Sequence, residues 1–314
     1  MKKMIKQNEL AIVIPAYKID FFESVLKSLA NQTDKRFSLY VGIDASPGDF
    51  ESILDDYSSN LDIHYKRFKE NLGGKNLVAQ WNRCLELVMN ETWIWLFSDD
   101  DIMEPRCVEC FYQELEKMAD YDLYHFNVNI IDEKNDLVIQ TKEYPKVIDS
   151  VSFLKAKNNA SLDSFVVEYI FRKSTFKDLG GFQYFDMAWG TDIATWAKLG
   201  KAKGIKTISG AKVLWRQSSL NITPSKDIPK LKRKLAANVS FFTWCRNNFN
   251  EISQTDAYYY MFRMLFHYTP YLQSKDFKNI IKPFYCKTKF GKVLFWFIVS
   301  LYPCLKFFHK IIHF

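Results

Sequence analysis

The chain has 314 residues, 48% hydrophobic and 25% charged, which excludes a disordered or low-complexity protein and allows one large domain or a domain with an appendage. Its net charge of +7 is modest, and much of the excess lies in lysines at 226–234 and 275–292, a distribution that suits an anionic membrane surface or nucleic acid. Six scattered cysteines make no disulfide framework, and nothing in residues 1–9 has the length of a signal peptide, so a reducing cytoplasm is expected.

Ala11–Pro15 is expected as a buried strand, followed by a helix over Phe22–Ala30. A second strand, Ser38–Asp44, breaks at Ala45–Gly48 into a helix over Phe50–Tyr57, and Leu61–Tyr65 gives a third strand. Asn71–Gly74 is a turn that leads into a helix over Lys75–Met89, where Leu77, Val78, Trp81, Leu85 and Val88 recur at helical spacing. The aromatic run Trp93–Phe97 is the fourth strand, and Glu104–Met118 the next helix. Cys107 and Cys110 fall in that helix with CxxC spacing but no second pair or histidine, which reads as packing.

Tyr121–Asp149 has a strand pattern with a hairpin at Asp132–Asp136. Helices over Ser150–Lys157 and Arg172–Leu179 follow, then a loop at Gly180–Phe182 and a short helix from Trp189–Asp192 through Leu199. Lys206–Ile208 and Ala211–Trp215 are two late strands, and beyond Pro229 the chain is helical and aromatic. Strands and helices alternating at this rhythm predict an α/β fold with a mostly parallel sheet, in which ligands bind beyond the carboxyl ends of the strands.

Three consecutive carboxylates, Asp99, Asp100 and Asp101, stand at such an end, and Asp44 stands at another. Their repulsion costs several kcal/mol at an intermediate dielectric unless a cation sits among them. A hard divalent ion, magnesium or manganese, takes oxygen ligands of this kind and usually brings substrate phosphates. The turn at Asn71–Gly74 feeds a helix N-terminus, an anion site within reach of Lys75. Plain structural roles also exist for each: Asp44 as a turn residue, the triplet as a solvated cap, and Asp192 as the N-cap of its helix.

Five blocks occur in one order: Ile12–Tyr17, Gly42–Ser46, Asn71–Gly74, Ser98–Asp101 with Pro105, and Gly180–Phe182 with Gly190–Asp192. Together they resemble family 2 glycosyltransferases of the GT-A fold over roughly residues 9–220. The resemblance implies a Rossmann-like nucleotide-diphospho-sugar transferase domain over residues 1–220 and a helical C-terminal extension over 221–314. It implies that Pro15, Ala16 and Tyr17 contact the nucleoside, with Asp44 accepting from the base ring. Members often carry two acids at that point, where this chain has Asp44 and Ala45.

The triplet matches the family's DXD motif. Asp101 would bind the metal together with Asp99 or Asp100, according to the alignment, and the same carboxylates would border the nucleotide phosphates. Asp192 matches the catalytic base of inverting members, although Thr191 stands where they usually carry a second acid. Trp189, Gly190 and Arg216 would line the donor and acceptor pocket, with Arg216 closing over the diphosphate.

Between Lys292 and Lys306 lie thirteen residues, nearly all apolar and interrupted by Pro303, with lysines on both flanks. That is too short for a membrane span and reads as a helix lying in a membrane interface, with a helix packed on the catalytic domain as the plain alternative. The expectation is a metal-dependent inverting transferase that moves a sugar from a UDP-sugar to a glycan or lipid-linked acceptor. It would act in surface polysaccharide or lipopolysaccharide assembly, peripheral on the cytoplasmic face of a bacterial inner membrane, with no nucleic-acid partner. A nucleotidyltransferase of similar fold is the alternative enzyme, although Ala16–Asp20 lacks the glycine-rich basic loop such enzymes carry. A non-catalytic membrane- or nucleic-acid-binding protein is the alternative outside enzymology.

Overall fold

The computed structural model describes residues 8–117, 120–219 and 227–312, so most of the N-terminal segment, Met118 and Lys226 lie outside the described residues. The chain divides into two compact units, one running to Gln183 and resuming over Thr195–Ser218, the other made of Tyr184–Ala194 and the chain from Ser219.

The first unit opens with the expected alternation: β1 (Leu10–Ala16), α1 (Phe22–Ala30), β2 (Phe37–Ile43), α2 (Phe50–Tyr57), β3 (Ile63–Arg67), α3 (Leu77–Leu85) and β4 (Trp93–Leu96). It continues with β5 (Ile102–Met103), α4 (Cys107–Glu116), β6 (Leu123–Ile131), β7 (Leu137–Gln140), β8 (Val147–Ile148), α5 (Ser150–Asn158), β9 (Tyr169–Arg172) and α6 (Lys173–Asp178). The boundary between the units falls inside α7 (Thr191–Leu199), and β10 (Ile205–Arg216) completes the first.

The strands form one sheet in the order β3-β2-β1-β4-β9-β6-β10-β5, with β7 beside β6 and β8 beside β10. The β1–β2, β1–β4, β2–β3 and β6–β10 pairs are parallel. In β1 and β2, Leu10, Ile12, Ile14, Leu39, Val41 and Ile43 are fully buried, the continuous apolar pattern of strands covered on both faces. Removing each such side chain from water stabilises the fold by about 1.5–3 kcal/mol. Trp95 on β4 lies flat against Phe126 on β6, with ring centroids 5.1 Å apart, and its Nε1 donates to the Val167 carbonyl at 2.6 Å.

Several elements differ from the sequence reading. β9 was not expected; it is four residues long, too short to show a period, and it runs antiparallel to both β4 and β6. β3 begins two residues later than expected, and as the last strand of the sheet it leaves Tyr65 46% exposed. The two late strands are one, β10, whose register against β6 shifts between Ile208 and Lys212. Gly210 lies in that irregularity at φ +101°, a conformation that side-chain-bearing residues rarely adopt. All six cysteines are free, and Cys107 and Cys110 are buried in α4.

The second unit contains α8 (Ile228–Asn248), α9 (Gln254–Tyr268), α10 (Ser274–Tyr285) and α11 (Lys289–Ile312). Asp227 caps α8 by accepting from Lys230 N, and Ser253 with Asp256 forms a reciprocal capping box on α9. Residues 184–194, expected in the domain over 1–220, cluster with these helices. Phe185 packs edge-on against Phe241 and Trp244, and Arg233 holds Asp186 through two hydrogen bonds of 2.6 and 2.8 Å.

Candidate active site

Because β1, β2 and β4 are parallel neighbours, their carboxyl ends arrive side by side. Asp44 N donates to Ala16 O, and Phe97 N donates to Val13 O, both at 2.8 Å. Past β1 the chain bends over the end of β4, where Tyr17 N and Lys18 N both donate to Oδ2 of Asp99, at 2.7 and 2.6 Å. Asp100 receives the Lys18 ammonium. Asp101 accepts from Ser98 Oγ at 2.5 Å and from Arg216 N at 2.6 Å.

All three carboxylates are buried, none more than 6% exposed. Burial and the charge of Asp100 push Asp99 up to about 6, against the pull of Lys18 and of the two amides on Asp99. The same two causes raise Asp101 well above the ordinary carboxylate range, against the hydrogen bonds from Ser98 and Arg216. Burial works against the charged form of Lys18, but Asp99, Asp100 and Asp101 outweigh it and hold its pKa above the ordinary lysine value.

Lys18 is one residue that sequence reasoning missed. A cation was expected among the aspartates, and the structure supplies one from the residue next to Tyr17. Each carboxylate faces its own partners, and among the described residues no group of three acidic, histidine or cysteine side chains is arranged around a common point for a metal. The donor chemistry still suits a hard divalent ion. Three carboxylates stand against one ammonium, and two of them are held well above their ordinary pKa.

Asp44 is committed to the neighbouring turn. Its Oδ1 and Oδ2 accept from Leu72 N and Gly73 N, each at 2.7 Å, and Oδ1 also pairs with Arg83. A Cβ on Gly73 would lie 2.7 Å from Oδ2, so glycine permits this close approach. Arg83, also missed, lies over the Phe68 ring at 3.8 Å. Only its place on α3, one turn past Ala79, could have signalled it. Lys75 is exposed and precedes the helix, which begins at Leu77 with Asn76 accepting from Ala79 N at 3.0 Å. The anion site expected at this N-terminus therefore has Asn76 as its built-in cap. Pro15 and Ala16 end β1, and Tyr17 is 47% exposed, with its carbonyl accepting from Ser46 Oγ at 2.7 Å.

Residues 11–176 of this chain match the description Glycosyl transferase family 2, more than half its length. The chain belongs to that family. Among solved structures it is similar to S. aureus TarS, with a TM-score of 0.66 and 14% identity over 95% of this chain and 52% of that one. The chain thus spans about half of that TarS structure. TarS 1-349 in complex with UDP-GlcNAc matches with a TM-score of 0.57 and 14% identity, covering 96% of this chain and 91% of that one. GalNAc-T7 with UDP, GalNAc and Mn2+ matches with a TM-score of 0.52 and 12% identity, covering 96% and 59%. At these identities the likeness shows the GT-A fold. No curated protein matches the chain.

Within this family 2 chain, Arg216 is held by three acceptors. Its Nε donates to Asp100 O at 2.7 Å, Nη1 to Asp132 O at 2.8 Å and Nη2 to Asn135 Oδ1 at 2.7 Å. The guanidinium also lies 4.4 Å from the Phe21 ring centroid. Arg216 is buried and fixes the acidic turn to the β6–β7 hairpin. Trp189, Gly190 and Asp192 belong to the second unit. There Gly190 turns at φ +87° into α7, Asp192 lies half-buried in the helix's first turn, and the Lys234 ammonium sits 4.5 Å from the Trp189 ring centroid.

Proposed function

We propose that this protein is a metal-dependent inverting glycosyltransferase that takes a sugar from a nucleoside diphosphate donor, UDP-linked, to a glycan or lipid-linked acceptor. The observation that carries the reading is the meeting of three strand ends at one place, where the turn after β1 is hydrogen-bonded to Asp99 and Asp44 anchors the glycine turn beside it. Sheet ends of this kind are where open α/β folds bind nucleotides. Family membership favours glycosyl transfer over nucleotidyl transfer.

Each residue has a stated task. Pro15, Ala16 and exposed Tyr17 border the nucleoside, with Tyr17 offering its ring for stacking. Asp44 shapes the turn that receives the base. Lys18 neutralises part of the acidic turn, and exposed Lys75, just past the glycine turn, reaches a phosphate of the donor. Asp101, with Asp99 or Asp100, would hold a divalent magnesium or manganese ion, which when bound supplies positive charge to the departing diphosphate. Asp192 takes the acceptor hydroxyl's proton as its oxygen bonds to the anomeric carbon and the bond to the diphosphate breaks. Trp189 and Gly190 shape the sugar pocket.

The setting that fits is surface polysaccharide or lipopolysaccharide assembly on the cytoplasmic face of a bacterial inner membrane, with the C-terminal tail as a peripheral contact and no nucleic acid involved. Among the described residues no helix is long and apolar enough to cross a membrane. Thermal shift against a panel of nucleotide sugars, with and without manganese, tests the core of the reading. The expected result is a metal-dependent rise with one diphosphate sugar. A flat response across the panel overturns it.

A further inference from the structure

We infer that the outward face of α11 seats in the interface of an anionic phospholipid membrane. This deepens the peripheral contact proposed above and stands apart from the transfer chemistry. Phe290, Val293, Trp296 and Phe297 are between 56% and 69% exposed, and their spacing places them along one side of the helix. The other side is already occupied. Phe295, Ile298, Val299 and Tyr302 are buried in the unit, and the Tyr302 ring lies 4.7 Å from that of Phe277 on α10.

A surface helix normally turns polar residues to water. Here the exposed positions between Lys292 and Cys304 include one polar residue, Ser300, and its hydroxyl donates back to Trp296 O at 2.9 Å. Between Lys292 and Cys304 the face is therefore apolar, too large a cluster of exposed aromatics for a surface with no partner.

Charge selects the partner. After Asp276 the chain carries seven lysines and no acidic residue, a surplus equal to the whole net charge of +7. Lys282, Lys287, Lys289 and Lys292 are exposed on or beside the start of α11. A second copy meeting this face in a symmetric dimer would bring the same lysines against themselves, whereas anionic headgroups complement them. Aromatic side chains beside a lysine collar, on a helix that does not span, are the features of a segment lying at headgroup depth.

The test is co-sedimentation of the full chain with phosphatidylcholine vesicles, with and without phosphatidylglycerol. The inference expects binding that needs phosphatidylglycerol and weakens with salt. It expects roughly a tenfold or greater loss of affinity in the triple variant Lys287→Gln, Lys289→Gln, Lys292→Gln, and a comparable loss in Trp296→Ser with Phe297→Ser. Nucleotide-sugar thermal shift on the same proteins shows that the variants remain folded, and it reports on donor binding separately from the membrane. Failure of the wild-type protein to bind the anionic vesicles, or equal binding by all three proteins, overturns the inference. So does a wild-type dimer in light scattering that Trp296→Ser with Phe297→Ser dissociates while vesicle binding is absent.

Discussion

The backbone N–H of Lys18 donates to Oδ2 of Asp99 at 2.6 Å, and the ammonium of the same lysine lies 3.7 Å from Oδ1. One residue thus closes the turn after β1 and offsets the charge of the acidic turn after β4. Lys18→Met removes the ammonium that Asp99 and Asp100 share and leaves both carboxylates buried without it. Its side chain is 27% exposed, so the loss is discounted from the full cost of breaking a buried pair to about 2 kcal/mol. Urea denaturation is expected to show that drop, and added manganese to recover part of it, since a divalent ion would take the place of the missing charge. An unchanged midpoint would remove Lys18 from the electrostatics of the site.

The Asp44 turn gives a second prediction. In Gly73→Ala the new Cβ would lie 2.7 Å from Asp44 Oδ2, so the turn must shift and one carboxylate hydrogen bond lengthens or breaks. The expected cost is about 1–2 kcal/mol in stability, with weaker donor binding measured by calorimetry. Gly74 is a useful control, because it is exposed and its neighbour is the side chain of Asn71 rather than Asp44.

The first four strands and the acidic residues at their ends were legible because parallel strands buried on both faces read as apolar runs, and the residues just past them are polar by necessity. Asp44 and Asp99–Asp101 stand out for that reason. Lys18, Arg83 and the true placement of Arg216 were not legible, since each depends on a long side chain crossing between elements distant in sequence. Arg216 reaches Asp132 and Asn135 across more than eighty residues, and no local period records such a contact. β9 stayed hidden because four residues between a helix and a helix show no repeat.

Arg216 supplies the third prediction. It ties Asp100 O, Asp132 O and Asn135 together through three different nitrogens, a geometry that the single ammonium of lysine does not reproduce. Arg216→Lys is therefore expected to destabilise by about 2–3 kcal/mol, nearly as much as Arg216→Met. A lysine variant equal to wild type in denaturation would show that charge alone, and not the fork, matters there.

His125 sets the fourth, a dependence on pH. Burial depresses it from 6.5 to about 3, its Nδ1 has no hydrogen-bond partner, and its ring lies 4.0 Å from that of Tyr144. As pH falls below 6.5 the unfolded chain takes up a proton that the folded chain refuses until about pH 3. Stability therefore decreases with acidity across that window, by at most about 1.4 kcal/mol per pH unit from this group. His125→Phe keeps an aromatic ring beside Tyr144 and is expected to flatten the slope between pH 6.5 and 5. Melting temperatures with the same slope in both proteins would assign the acid sensitivity elsewhere.

Asp192 carries the last prediction, which bears on chemistry rather than stability. It lies half-buried in the first turn of α7, where a neutral amide can keep the shape and most hydrogen bonding of the carboxylate while losing its basicity. Asp192→Asn is expected to leave the nucleotide-sugar thermal shift unchanged and to lower turnover about a hundred- to ten-thousandfold, the usual range for a general base. A carboxylate that only favours the first turn of α7 through the helix dipole would behave differently, because its loss costs about 0.3–1 kcal/mol of stability and turnover would survive. The pair of measurements therefore separates the two roles: donor binding kept with transfer lost marks a base, and both kept marks a helix-end charge.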